Sequence, residues 1–316
     1  MALFLKKTRR RKRSSRPRRS LSGQRPWDPK RTLLGLRVLL AAAAVVIAVL
    51  GWRWSEQSLR RYASVHRSVP VESASVELSP RPSWMSDMLA DDLRSLVARE
   101  VDADPMDTAG LHRAARALQN SPWVRQVWQI NRPAGSRVIV RAEYRRPVAL
   151  IEVTDGYRLV DGQGVCLPGL YLKHQIDSVR LPVLIGVTGR TPRAGKKWSD
   201  SAVGSGLALV RLIEVEPYID QVRAIDLGRR DTRGRMRLAM CTRDGGVVRW
   251  GLPPGQEQSI EPSAATKKQR LVEIYRRRGS IDGGGKVVDI FGADVFIHHM
   301  DLTHSDEPRS IGYTLR

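Results

Sequence analysis

Apolar side chains run almost unbroken through residues 33–52, with Arg37 the one charge among them, and residues 38–50 carry none. A helix of about 20 residues rising about 1.5 Å each is about 30 Å long, the thickness of a bilayer core. The pattern predicts a single transmembrane helix over residues 32–54. Arg37 can snorkel at its entry, and Trp52 and Trp54 mark the opposite interface. The next stretch is polar, helix-tolerant and then loop-like. Pro70 ends any continuation, so residues 55–73 read as a linker.

Past the linker the period changes. Val76 and Leu78 alternate with polar neighbours as a short strand does, and Pro80 and Pro82 stop it. Ser83 or Ser86 caps a helix that turns Met85, Leu89, Leu93, Leu96 and Val97 inward and Asp91, Asp92, Arg94 and Arg99 outward. A second helix starts near Asp107 and places Leu111, Ala114, Ala115 and Leu118 on one face. Two strands follow, one through Trp128 and Ile130, the other with Val138, Val140, Ala142 and Tyr144 on a common side. Pro133, Ala134, Gly135 and Ser136 make the turn between them. The order over residues 74–146 is β-α-α-β-β.

Residues 147–299 continue as strands. After Arg146 and Pro147 an apolar run leads to Leu159, Val160, Asp161, Gly162, Gln163 and Gly164, where Asp161, Gly162 and Gly164 supply the positive-φ residues of a tight hairpin. Another strand runs from Leu181 to a turn at Gly186, and a helix covers about 200–215. Strands recur at 222–227, 236–242 and 246–251. A basic helix over 266–278 turns Leu271, Ile274 and Tyr275 inward, and the last strand passes through Val287, Val288 and onward to Ile297. The fold class is α+β: one transmembrane helix, a small mixed module, then a mostly antiparallel β domain with flanking helices. Residues 300–316 form a C-terminal tail.

Charge sets the expected orientation. Residues 1–31 hold thirteen Lys and Arg against Asp28 alone, so twelve of the chain's net +22 sit there. Such a run cannot bury enough apolar surface to fold and is expected to be a disordered cytoplasmic tail. No aromatic residue is interleaved between Lys6 and Trp27 to stack on bases, which argues against a nucleic-acid arm. The tail reads instead as the positive flank of the span, placing the N-terminus in the cytoplasm and the remainder outside. The sequence Gly51-Trp52-Arg53-Trp54 is too bulky and charged for signal-peptide cleavage. Cys166 and Cys241 are too few for a disulfide framework and read as two free thiols, their pairing left open.

The β-α-α-β-β order, with Trp123-Val124 before its second strand and Arg132-Pro133 in its last turn, resembles a POTRA domain, a small exported module that binds other proteins. In sequence come a basic tail, one span, this module, and then Pro147-Val148-Ala149, Leu159-Val160-Asp161 and Leu181-Pro182-Val183-Leu184 with Gly186 after it. That succession resembles the FtsQ/DivIB family of bacterial cell-division proteins. Departures from the family pattern are Gln129, one added residue between Glu143 and Pro147, and Ile290-Phe291 after Val288-Asp289. The resemblance implies a non-catalytic scaffold of the inner membrane that recruits partners such as FtsB and FtsL. The last strand, through Gly292, Ala293, Asp294, Val295, Phe296 and Ile297, is then the expected partner-binding edge. A tail over 300–316 folded across that edge is the alternative.

Catalytic chemistry is not expected. Residues 189–197 imitate a phosphate loop, but five residues separate Gly189 from Gly195 and Lys197 stands where a Ser or Thr must hold the metal. His298 and His299 are neighbours on a strand and point to opposite faces, so they do not share an ion. No Gly-x-Ser-x-Gly, His-Glu-x-x-His or Cys-x-x-Cys occurs, and neither metal nor cofactor is implied. The competing function is a POTRA-containing envelope protein-assembly or transport factor, which would ordinarily repeat the module or add a barrel. A membrane-anchored wall enzyme lacks a site.

Overall fold

The computed structural model describes residues 29–66, 70–104, 108–133 and 136–299. The basic run at 6–19, the expected cap Asp107, the turn residues Ala134 and Gly135, and the tail at 300–316 lie outside the described residues. The chain divides into two compact units, Met1–Tyr62 and Ala63–Arg316.

Helix α1 (Pro29–His66) is 38 residues long, about 57 Å at about 1.5 Å each. Its stretch Leu39–Leu59 is the one helix among the described residues long and apolar enough to cross a membrane. The helix runs on through part of the stretch read as linker, because no Gly or Pro interrupts residues 52–69.

The second unit opens with a three-stranded sheet under two helices. Strand β1 (Val76–Leu78), helices α2 (Asp87–Glu100) and α3 (Thr108–Asn120), and strands β2 (Val124–Asn131) and β3 (Val138–Tyr144) follow in that order. In the sheet β3 is central, parallel to β1 and antiparallel to β2. Ser86 caps α2 by accepting from the Leu89 amide at 3.2 Å. Leu93 and Val97 are buried as the helical spacing requires, joined by Ala90. Met85 is buried from the turn ahead of the helix, and Leu89 and Leu96 are half-buried. Ala114 and Leu118 of α3 and Val138, Val140 and Ala142 of β3 complete that core.

Strands β4 (Pro147–Val153) and β5 (Gly156–Asp161) begin an eight-stranded sheet. It continues with the short helix α4 (Ile176–Val179), β6 (Val183–Ile185), α5 (Ser201–Ile213), β7 (Val222–Asp226), β8 (Leu238–Thr242), β9 (Val247–Gly251), α6 (Ala264–Arg278), β10 (Val287–Asp289) and β11 (Phe296–His298). The strand order is β11-β10-β9-β8-β7-β6-β4-β5. Four neighbouring pairs are antiparallel and three, β4/β6, β6/β7 and β9/β10, are parallel. Parallel neighbours need crossovers, and α5 and α6 supply the last two.

Both crossover helices pack on one face. There Ile151, Leu184, Ile225, Met240, Val248, Val288 and Ile297 stand in register, one from each of seven strands. All seven belong to or pack against the cluster that includes Leu207, Val210, Leu271 and Ile274 of the helices. On six of these strands the adjoining residue faces the other way, giving the row Leu150, Val183, Ala224, Cys241, Val247 and Val287. Cys166 lies in the helix-side cluster and Cys241 in the cluster of the opposite face, so these are two separate buried thiols.

Candidate partner-binding edge

The two edges of the large sheet differ. Along β5 the chain folds back and closes the edge: Tyr157 and Tyr171 exchange amide-carbonyl bonds at 2.9 Å each, and the Leu167 amide donates to the Leu159 carbonyl at 2.9 Å. At the other end β11 pairs antiparallel with β10, Val288 opposite Ile297. Among the described residues no strand pairs with its outer side. In the small sheet, β2 is also an edge. There the Gln119 amide occupies the strand, donating to the Arg125 carbonyl at 3.1 Å and accepting from the Val127 amide at 2.9 Å.

The six residues expected at the binding edge divide into two parts. Gly292, Ala293 and Asp294 form a bend, and Val295, Phe296 and Ile297 lead into and make up β11 with His298. Val295 and Ile297 pack against the helix-side core, whereas Phe296 is 61% exposed. The strand thus lies on the body of the domain while presenting an aromatic ring and a backbone edge.

Arg270 of α6 sets the bend. Its guanidinium donates to the carbonyls of Ile290 at 2.9 Å and Gly292 at 2.7 Å, and also to that of Ala293. Three consecutive-region carbonyls gathered on one planar donor turn the chain back toward β10. Phe291, just inside the bend, lies under the Arg237 guanidinium at 5.6 Å. Gly251 at the end of β9 has φ +91°, and a Cβ there would meet the Phe291 Cβ at 2.6 Å. Only glycine fits.

A buried cation braces the same end of α6. Lys267 is wholly buried, and its ammonium donates to Glu261 at 2.8 Å and to the carbonyls of Trp250 and Leu252 at 3.3 Å each. Its three N–H groups are satisfied, and the Trp250 ring lies 4.9 Å away. Burial lowers its pKa below the ordinary lysine value, opposed by Glu261. Glu261 in turn accepts from Arg237 at 2.8 Å and from the Leu252 amide at 2.7 Å. Sequence reasoning missed Lys267, although it precedes Leu271 by one helical step on the same face. Arg270 had no pattern to reveal it, since its partners are backbone carbonyls.

At the far end, Trp123 from the loop before β2 packs into the cluster on the face of the large sheet opposite the crossover helices. The Asp161 carboxylate accepts from the Gln163 amide at 2.9 Å, from Val165 at 2.8 Å and from Arg145 at 2.8 Å. Of the two glycines expected at positive φ there, Gly164 adopts it, at +83°, and Gly162 does not. The Asp161 side chain itself organises the turn.

The phosphate-loop imitation is pinned to a strand segment, with the Gly195 amide donating to the Cys166 carbonyl at 2.7 Å, and α5 starts only at Ser201. Asp91 pairs with Arg94 at 2.7 Å on the solvated face of α2. Among the described residues no three His, Cys, Asp or Glu side chains gather as a metal site requires.

A mixed sheet carrying two crossover helices on one face, entered through a smaller module and preceded by a helix long and apolar enough to cross a membrane, defines an α+β protein of the single-span type. Residues 149–290, just under half of the chain, match the family described as cell division protein FtsQ/DivIB, C-terminal, which supports membership of the FtsQ/DivIB family. That span runs from within β4 through β10 and ends at Ile290, just before the Arg270 bend and β11. No curated protein matches the chain.

Proposed function

We propose that this protein is a non-catalytic division scaffold that recruits or links division partners across the membrane at the division site. The family match carries the division role, and its finer form rests on one observation, the outer edge of β11. An edge strand offers unpaired N–H and C=O groups to an extended segment of a partner, and alternate side chains give specificity. In this reading Gly292, Ala293, Asp294, Val295, Phe296 and Ile297 receive a strand from a division partner, the candidates being proteins resembling FtsB and FtsL.

The positive-inside rule supports a cytoplasmic N-terminus, with residues 74–146 as a POTRA-like module and 147–299 as the β domain, both outside the inner membrane. The test is Val295→Pro, which removes a backbone donor and fixes φ at the entry to β11. Co-purification of FtsB- and FtsL-type partners with the full chain should be lost while the thermal transition is retained. Unchanged co-purification would rule out the edge. Depletion should leave filamentous, undivided cells; normal division with envelope defects would favour an assembly or transport factor instead.

A further inference from the structure

We propose a second interaction surface, at the opposite end of the large sheet, that takes an acidic segment of a partner protein. It is built on the loop between β6 and α5. Arg190, Arg193, Lys196 and Lys197 are all exposed there, and among the described residues none makes an ion pair. Most other cations of this unit are neutralised: Arg125 by Glu143 at 2.6 Å, Arg145 by Asp161 at 2.8 Å, Arg237 by Glu261 at 2.8 Å, Lys268 by Glu216 at 2.9 Å. Four unpaired cations within eight positions are therefore a local excess and not the surface average.

The loop is also stiff. The Cys166 amide donates to the Lys196 carbonyl at 2.9 Å, the Lys196 amide to Arg193 at 3.0 Å and the Trp198 amide to Gly164 at 2.8 Å, while Trp198 itself is 5% exposed. Gly195 sits against Pro122, so the loop is wedged on the smaller module. A backbone held this way presents its cations without first having to be ordered, which is what raises affinity for an extended ligand.

Shape favours a protein segment over a flat membrane. The loop stands between two concavities. One of about 250 Å³ is lined by Gln119, Asn120, Ser121, Arg125, Arg145 and Lys196; Arg125 and Arg145 are held by Glu143 and Asp161, so Lys196 is the cation it offers. The other, of about 740 Å³, has Lys197 and Arg211 on its walls and one acid, Asp200, whose carboxylate caps α5 through the Ala202 amide at 2.8 Å. Cations on the walls of clefts suit carboxylates projecting from a chain laid across the loop, whereas binding to a bilayer surface favours exposed apolar or aromatic anchors, and the loop's one aromatic, Trp198, is buried. The loop is bonded to the segment that closes β5, and β5 stands seven strand spacings from β11, about 34 Å, so both surfaces can be filled together.

The test uses the full chain in phosphatidylcholine nanodiscs and a fluorescent ten-residue peptide of alternating Glu and Ser, at physiological salt. Arg190→Gln, Arg193→Gln, Lys196→Gln and Lys197→Gln combined should weaken peptide binding about tenfold or more. Removing equal charge elsewhere, by Arg99→Gln, Arg116→Gln, Arg276→Gln and Arg278→Gln, should change it less than twofold, and Val295→Pro should not change it. Equal losses in both sets, or no loss in either, would overturn the proposal. So would loop-dependent binding to phosphatidylglycerol vesicles without loop-dependent binding of the peptide. Should the fourfold variant lose its fold, Arg193→Glu with Lys196→Glu serves in its place. It must exchange preference from the Glu-Ser peptide to a Lys-Ser peptide, and failure to do so counts against the surface.

Discussion

Arg145, one residue beyond β3, donates to the carboxylate of Asp161 at the end of β5 at 2.8 Å, with both side chains largely buried. Its own amide donates to the Trp123 carbonyl at 2.8 Å, and Trp123 packs on the face of the large sheet opposite the crossover helices. One residue thus ties the last strand of the small sheet to the first hairpin of the large one. Arg145→Ala leaves Asp161 with amide partners but without its counter-charge, and should cost about 2–3 kcal/mol. Paired spin labels in α2 and α5 should show the single inter-module distance broadening. An unchanged, narrow distribution would mean that the joint does not depend on this pair.

Much of the fold was legible because burial imposes period. The helical spacing of Leu93 and Val97 and the alternation of Val138, Val140 and Ala142 each named the buried side correctly. What local pattern lacks is information about which strands become neighbours. The strands β6, β7 and β10 are only three or five residues long, and nothing within them announces that α5 and α6 cross over to make parallel pairs. The edge was foreseeable as the last strand in the chain. Its support was not, since Arg270 acts on carbonyls that any sequence would carry, and Lys267 reads as one more cation on a basic helix.

Lys267 gives a prediction about stability. Its ammonium is fully desolvated and satisfied by Glu261 and two carbonyls. Lys267→Ala leaves a cavity and frees the Trp250 and Leu252 carbonyls, while Glu261 keeps Arg237 and the Leu252 amide, and should lower stability by about 2–5 kcal/mol in denaturant titration. Lys267→Met, which fills the space, should recover part of that. Because the folded pKa lies below the ordinary value of 10.5, the unfolded chain binds this proton more readily. The lysine's contribution should therefore grow more favourable as pH rises through the folded value toward the unfolded one, and the pH slope should vanish in the Met variant.

The two thiols should be inert while the domain is folded. Burial pushes Cys241 up to about 11 and raises Cys166 as well. At pH 8 the reactive thiolate of Cys241 is about one part in a thousand. A thiol reagent should label neither residue in native buffer and both in denaturant, with no disulfide found on mass analysis under oxidising conditions. Fast native labelling of either would contradict the packing of the two clusters.

The bend at Gly292 should separate presentation of the edge from stability of the domain. Arg270 makes its bonds to Ile290, Gly292 and Ala293 from the partly exposed side of α6, away from the row of seven core residues. Arg270→Ala should therefore cost only about 1–2 kcal/mol overall. Locally its effect is larger, because β11 is held to β10 across only three residue pairs and needs the bend to bring it back. Hydrogen exchange should quicken by at least tenfold at Phe296, Ile297 and His298 and stay unchanged in β7 and β8. Partner co-purification should fall with it, and Arg270→Lys, which keeps the charge but not the planar fork, should restore little. Equal exchange rates in the variant and the natural protein would show that β11 is placed by Val295 and Ile297 alone.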